Sequence, residues 1–283
     1  MNWLRFVKMQ ALGNDFVVID AVRQRVRLEA ETVRRLADRH FGVGCDQVLL
    51  VSPPSRPEAD FDYLIYNADG GEVAQCGNGA RCFAVFVHEQ GLSAKRELTV
   101  ATRAGLLRPR LEGDGQVSVD MGVPRLEPAQ VPFMAPGRQD EYDLEVAGER
   151  LRVQVLSLGN PHAVQWVADV ARAPVAGQGP RIEGHPRFPE RTNAVYAQRL
   201  DRAHLRVRVW ERGAGETLAC GSGACAAVVA GRLAGRLDET VAVDMPGGRL
   251  TVHWSGPGRP VRLTGPAASV FEGRVDLDRL GGR

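Results

Sequence analysis

Twelve residues centred on a cysteine occur twice in this chain, and each copy reads as the start of a helix. Gly71-Glu72-Val73-Ala74-Gln75-Cys76-Gly77-Asn78-Gly79-Ala80-Arg81-Cys82 and Gly215-Glu216-Thr217-Leu218-Ala219-Cys220-Gly221-Ser222-Gly223-Ala224-Cys225-Ala226 agree at six of twelve positions, the cysteine among them. The likeness extends upstream, where Leu12-Gly13-Asn14 matches Leu158-Gly159-Asn160 at nearly the same distance from its cysteine. Asn67 and Glu211 fall at equivalent strand ends. A duplicated chain with one such thiol per half predicts a pseudo-symmetric site, a cysteine on either side of one substrate. That arrangement suits removal of a proton from one face of a carbon and its return to the other.

The 283 residues suffice for two domains with cores of their own. The junction is expected near Gly122-Val123-Pro124, giving 1–122 and 123–265. The tail 266–283 is left over from the second copy and is expected to return as a strand to the first domain. With 36 basic against 34 acidic residues, no basic stripe points to nucleic acid. No apolar run reaches the roughly 18 residues that span a bilayer, and the opening segment lacks a secretory signal pattern, so a cytosolic protein is predicted. An odd number of cysteines, five, does not make a disulfide framework.

Short alternating runs predict strands over Phe61–Tyr66 and Leu205–Trp210. Gly113-Asp114-Gly115, Ala147-Gly148-Glu149 and Met245-Pro246-Gly247-Gly248 read as turns between further strands. Helices are expected over Glu29–His40 and after Cys76 and Cys220. The last two, apolar on nearly every side, should run through the middle of a β-rich half.

A thiol is a base only as thiolate, and a helix N-terminus favours negative charge there. The glycines after each cysteine let the backbone come close to a ligand, whose carboxylate the first N–H groups could bind. Charge growing on that carboxylate as an α-proton leaves would be stabilised more in the transition state than in the ground state. Cys45, Cys82 and Cys225 are read instead as small buried hydrophobes. Zinc fails on spacing, since no short Cys pair has a nearby His pair to complete four ligands. Gly221-Ser222-Gly223-Ala224-Cys225-Ala226 satisfies G-x-G-x-x-A, but no strand leads directly into it as a dinucleotide site requires.

Lys8-Met9, Leu12-Gly13-Asn14-Asp15-Phe16, Cys76-Gly77-Asn78-Gly79, Arg81-Cys82, Gly159-Asn160-Pro161-His162, His185–Asn193 and Glu211–Gly221 occur in the order seen in diaminopimelate epimerases. The chain resembles that family over nearly its whole length. The resemblance implies an α/β (α+β) fold of two similar domains, each a curled, mostly antiparallel sheet around a central helix, with the site in the cleft between them. It implies a cofactor-independent, metal-free enzyme interconverting LL- and meso-diaminopimelate for lysine and peptidoglycan synthesis, and a homodimer. By the same match Cys76 and Cys220 would exchange the roles of base and acid, with His162 and Glu211 assisting. The amides of Gly77, Asn78, Gly221 and Ser222 would hold the reacting carboxylate. Asn14, Gln47, Asn67, Asn160, Asn193, Glu211 and Arg212 would read the rest of the substrate. Arg212 suits a distal carboxylate, which proline lacks, and paired thiols are not expected of a phenazine-pathway isomerase. A proline-racemase-like enzyme and a non-catalytic amino-acid-binding protein remain the alternatives. Arg191 reads as a solvated or structural arginine. The chain departs from the family pattern at Gln10 and Ala11, where a His and a Gly are usual.

Overall fold

Nineteen strands and four α-helices follow one another in the computed structural model, which describes residues 2–74 and 76–280. They are β1 (Trp3–Ala11), β2 (Asn14–Asp20), α1 (Ala30–Ala37), β3 (Gln47–Ser52), β4 (Phe61–Asn67), β5 (Glu72–Val73), α2 (Gly77–Glu89), β6 (Val100–Thr102), β7 (Gly105–Leu107), β8 (Arg110–Leu111) and β9 (Val117–Asp120). Then come β10 (Tyr142–Val146), β11 (Glu149–Ser157), β12 (Pro161–Trp166), α3 (Val175–Glu183), β13 (Asn193–Arg199), β14 (His204–Glu211) and β15 (Gly215–Thr217). The chain ends with α4 (Gly221–Leu233), β16 (Thr240–Met245), β17 (Gly248–His253), β18 (Arg262–Gly265) and β19 (Ala268–Asp276). Two compact units emerge, residues 1–119 with 265–283, and residues 120–264. Among the described residues no helix is long and apolar enough to cross a membrane.

The first unit orders its strands β19-β1-β2-β3-β4-β6-β7, with β5 beside β4. Neighbours are antiparallel except β2/β3 and β4/β6. The second runs β10-β11-β12-β13-β14-β16-β17-β18, with β15 beside β14, and its parallel pairs are β12/β13 and β14/β16. The duplication is therefore topological: β1 to β4 correspond to β11 to β14, β5 to β15, and β6 and β7 to β16 and β17. A parallel pair needs a crossover, and the helices supply it. α1 and α3 make the first crossover of each unit, α2 and α4 the second.

Both second-crossover helices are buried as their all-round apolar character predicts. Residues 78–87 of α2 are buried, as are 223–231 of α4. α2 packs against β1, β2, β3 and β19, and α4 against β11, β12, β13, β14 and β17. Phe83 of α2 meets Tyr63 edge-to-face, ring centroids 5.3 Å apart, with Phe61 beside it at 6.2 Å. Each such fully buried side chain contributes about 1.5–3 kcal/mol. The opposite sheet face is covered by the first-crossover helix, where Val33, Leu36 and Ala37 of α1 pack on Val17, Ile19 and Val48. With both faces covered, β2 is apolar without alternation over Phe16–Ile19.

α1 stops at Ala37 rather than running to His40 because Asp38 takes the N–H groups of His40 and Phe41 at 2.7 and 2.8 Å. The turn at Ala147-Gly148 is a two-residue hairpin with both residues at positive φ, 56° and 82°. α3 was not expected, since Gly177, Gly179 and Pro180 within nine residues oppose a helix. Its packing explains one of them. A Cβ at Gly179 would lie 2.5 Å from Trp210 Cγ and 2.6 Å from its Cβ, atoms too near the β14 backbone to yield.

Replacing a helical glycine by alanine ordinarily stabilises by up to about 1 kcal/mol. Gly179→Ala should instead cost about 1–3 kcal/mol, the range for overpacking, measured as a fall in the denaturant midpoint at unchanged slope.

Candidate active site

Each cysteine of the repeated phrase is the N-cap of its unit's buried helix. Cys76 adopts φ −145°, ψ 121° and Cys220 φ −121°, ψ 104°, extended geometry that turns the side chain back over the first turn. The Cys76 sulfur accepts from the Gly79 N–H at 3.5 Å, whereas the Cys220 side chain makes no such capping bond and lies 3.6 Å from Ser222 Oγ. None of the five cysteines forms a disulfide. Cys45, Cys82 and Cys225 are buried, in line with a packing role, and burial pushes the Cys45 thiol up to about 11.

Around Cys76 the first unit collects neutral amides. Asn78 Nδ2 donates to Asn14 Oδ1 at 3.2 Å, and the Cys76 sulfur lies 4.0 Å from the same oxygen. Asn14 Nδ2 donates to Asp46 at 3.0 Å, and Arg39 holds Asp46 at 2.8 Å. Burial works against the neighbouring Asp15 carboxylate, but its bonds to Arg39 and Lys8 outweigh this and keep it well below the usual range. Gln47 and Asn67 face each other across β3 and β4, with Gln47 Nε2 on Asn67 Oδ1 at 2.8 Å, while Gln47 Oε1 is buried with no partner. Gln10 fills the family departure constructively, its Oε1 accepting the Gly13 N–H at 3.1 Å and bracing the turn that presents Asn14. Ala11 is fully buried.

The second unit repeats the plan with different chemistry. Asn160 Nδ2 donates to Ser222 Oγ at 3.4 Å, the counterpart of the Asn14–Asn78 bond. Ala194 pairs with Trp210 across β13 and β14, which sets Asn193 and Glu211 at the same sheet end as Gln47 and Asn67 in the first unit. Asn193 is nearly closed off from solvent, accepting the Arg212 N–H at 2.7 Å and donating to Pro161 O at 3.2 Å. In this structure it positions Arg212 rather than standing open as a reader. Arg212 is exposed, its guanidinium anchored on Glu190 O at 2.9 Å.

Cys220 departs from the simple expectation of a thiol acidified by its helix. Burial and the Glu211 carboxylate, to which the S–H donates, push it well above the ordinary thiol range, against the opposing pull of Ser222 and the Gly223 N–H. Thr217 Oγ1 donates to the same Glu211 carboxylate at 2.5 Å. His162 is fully buried, with Nε2 3.1 Å from Asn160 Oδ1 and Nδ1 unpartnered. Burial, helped by the Arg212 charge, lowers it to about 3, so the ring is neutral at physiological pH.

Two participants escaped the sequence reading. Arg81, in the middle of an apolar helix, has no exposed surface. A charged residue in a helix buried all round demands partners, and that was the available signal. Glu183, at the end of the unforeseen α3, accepts from Trp210 Nε1 and Gly213 N, each at 2.7 Å, and pairs with Arg191. It braces the turn carrying Glu211 and Arg212, and it pairs with an Arg191 whose side chain is otherwise largely exposed. Among the described residues no His, Cys, Asp and Glu side chains group as metal ligands.

Comparison with known proteins places this geometry in context. The family model described as Diaminopimelate epimerase matches residues 6–127 and 154–270. A diaminopimelate epimerase of Aromatoleum aromaticum is 61% identical, covering 97% of this chain and 99% of its own. A hydroxyproline epimerase from Agrobacterium vitis shares the fold with TM-score 0.71 at 16% identity, over 97% of this chain and 92% of its own. A phenazine biosynthesis protein of the PhzF family from Bacillus anthracis does so with TM-score 0.70 at 19% identity, over 97% and 99%. These two solved structures establish the two-sheet α+β architecture.

His162 carries a pH signature. Its folded value, about 3, lies below the unfolded one near 6.5, so the unfolded chain binds the extra proton between them. Its contribution is intact above about pH 6.5 and is lost on acidification toward 3, by up to about 1.4 kcal/mol per pH unit. Urea unfolding of His162→Gln between pH 6.5 and 4.5 should show a shallower acid loss than the parent; equal slopes would refute a buried neutral ring.

Proposed function

The chain belongs to the diaminopimelate epimerase family, and we propose that it interconverts LL- and meso-diaminopimelate in the cytoplasm, without a cofactor, on the route to lysine and peptidoglycan. One observation carries the mechanism. Each unit presents a cysteine as the N-cap of a buried helix, beside an amide-bearing turn residue, Asn14 or Asn160, bonded to the second residue of that helix.

In this mechanism one thiolate takes the α-proton and the other thiol returns a proton to the opposite face. The Cα–H electron pair is delocalised into the α-carboxylate, held by the N–H groups of Gly77, Asn78, Gly221 and Ser222. Helix N-termini leave such groups without intrahelical acceptors. Donors aimed at developing charge contribute roughly 2.7–4 kcal/mol each where they have been removed singly. Arg212 takes the distal carboxylate, and Asn14, Gln47, Asn67, Asn160 and Asn193 order the remaining polar atoms directly or through one another. Glu211 accepts the Cys220 S–H hydrogen bond and favours the protonated sulfur, which regains its proton from solvent after it has acted. His162, kept neutral by burial, can take a proton at one ring nitrogen only while giving one up at the other, so that no charge persists on the ring.

We further infer a homodimer, as the family resemblance implies. In its support, edge strand β19 exposes Val270 and Phe271, with Trp3 exposed on the adjoining β1. Sedimentation at micromolar concentration should give twice the 30.8 kDa chain mass, and Phe271→Asp should shift it toward monomer. A monomer in the parent protein would remove the inference.

The reaction is tested with LL-diaminopimelate in heavy water under reducing conditions. The parent protein should yield meso product carrying α-deuterium, while Cys76→Ser and Cys220→Ser each lose at least about a thousandfold in turnover, the scale of deleting a nucleophile or base. Binding without exchange would indicate a binding protein. Exchange on another amino acid alone would reassign the substrate.

A further inference from the structure

Among the residues assigned above to the substrate, Arg212 alone is a cation, and one short stretch of chain places it. Its N–H donates to Asn193 Oδ1 at 2.7 Å and its Nη1 to Glu190 O at 2.9 Å. Both acceptors belong to the segment 184–193 that follows α3. Glu183, the last residue of α3, ties this segment to the turn that carries Arg212. Its backbone oxygen accepts the Thr192 N–H at 3.1 Å and its carboxylate pairs with Arg191, so the segment closes on itself just before Asn193. Toward the turn, Glu183 Oε1 accepts the Gly213 N–H and Oε2 accepts from Trp210 Nε1, each at 2.7 Å.

The Glu183 side chain is buried, and three donors from three places converge on its two oxygens. A carboxylate accepts all three; an amide of the same shape turns its NH2 toward one of them. Stability alone does not call for such a group, because apolar side chains of like volume hold a fold at least as firmly as a buried ion pair. The first unit shows the corresponding turn held without one. Counting from Asn67 and Glu211, the position of Arg212 is there Ala68. Asp69 Oδ1 within that turn accepts the Gly71 N–H at 2.7 Å, and α1 reaches it through the exposed Arg34, on Asp69 O at 3.2 Å. The buried carboxylate accompanies the turn that carries a cation. Backbone comfort is given up for it as well, since Arg191 holds φ at 61° while its guanidinium pairs with Glu183.

We propose that Glu183 is a positioning residue that sets specificity for the distal carboxylate, by locking the Arg212 turn and the 184–193 segment together around the guanidinium. This role rests on the diaminopimelate reading and deepens it, since it presupposes that Arg212 meets the end of the substrate away from the reacting carbon. Glu183 itself touches no substrate atom. It acts through the Gly213 N–H, which fixes the backbone beyond Arg212, and through Arg191 and Thr192, which fix the segment that bears Glu190 and Asn193. With both supports held, the guanidinium meets a carboxylate without first losing conformational freedom.

Steady-state kinetics with LL-diaminopimelate separate this role from a merely structural one. Loss of folded protein lowers the apparent kcat and leaves KM unchanged, whereas a displaced Arg212 raises KM. Glu183→Gln should raise KM about tenfold, the scale of one weakened charge-assisted hydrogen bond, with kcat per folded molecule within about twofold of the parent. Arg191→Gly removes the ion pair at a φ that glycine adopts freely, and it keeps the test open where Glu183→Gln does not fold. It should raise KM by about threefold, as an exposed partner's loss allows. Arg212→Lys should raise KM by itself, and in that background Glu183→Gln should add no more than about twofold, because both changes act at one contact. A folded Glu183→Gln or Arg191→Gly protein whose KM is unmoved would overturn the proposal, as would an effect of Glu183→Gln that multiplies in full with Arg212→Lys. A parent protein that does not turn over diaminopimelate would instead fail the underlying reading, so the two failures are distinct.

Discussion

A helix buried on every side ends in N–H groups that no earlier turn can accept and that water does not freely reach. In both units of this protein a cysteine occupies the cap position, and in the first its sulfur meets that demand by taking the N–H of Gly79. The requirement shapes the residues around it. A Cβ at Gly79 would sit 2.3 Å from the Tyr63 hydroxyl, and one at Gly223 2.8 Å from Val209 Cγ2, so the first turn must be glycine to pack against its sheet. The earlier N–H groups of a helix's first turn have no intrahelical acceptor either. Structural satisfaction and anion affinity thus come from one arrangement.

On that common backbone the halves diverged by single side chains. Phe16 faces Gln47 in the parallel register where His162 faces Asn193, so a fully apolar ring stands in one unit where an imidazole stands in the other. Asn67 answers to Glu211, Asn78 to Ser222, and Arg81 to Cys225. Each exchange leaves the sheet order untouched, and at Cys220 Glu211 and Ser222 act on the sulfur's proton affinity in opposite directions. Topology constrains where the sulfur sits, and the side chains that topology does not constrain decide how it ionises.

The parts legible in the sequence were those governed by local rules. The N-cap cysteines, the all-apolar helices, and the hairpins at Asp114 and Ala147 follow from spacing, burial and turn chemistry confined to a few residues. α3 was illegible because its glycines and proline obey a tertiary demand, the approach of Trp210, that outweighs helix propensity. The behaviour of the Cys220 thiol was misjudged for a related reason. A helix end pulls its proton off, but burial and Glu211, brought beside it by the β14–β15 hairpin, push harder. Motif spacing reports the dipole and is silent on the competing carboxylate. Asn193 illustrates the limit at the substrate contacts, since its type suited binding while its buried amide is engaged in holding Arg212.

The abundance of amides around these thiols has a physical reason. Every full charge near a sulfur that must both lose and accept a proton biases one of the two states, by one to three pKa units at contact distance. Amides order a zwitterionic ligand through dipoles and leave that balance nearly untouched. Where carboxylates do approach Asn14, Lys8 and Arg39 neutralise them within the same network. At Cys220 the Glu211 carboxylate acts on the sulfur. Neutral surroundings make such a charge effective, because in a buried, weakly polarisable setting a single charge is poorly screened.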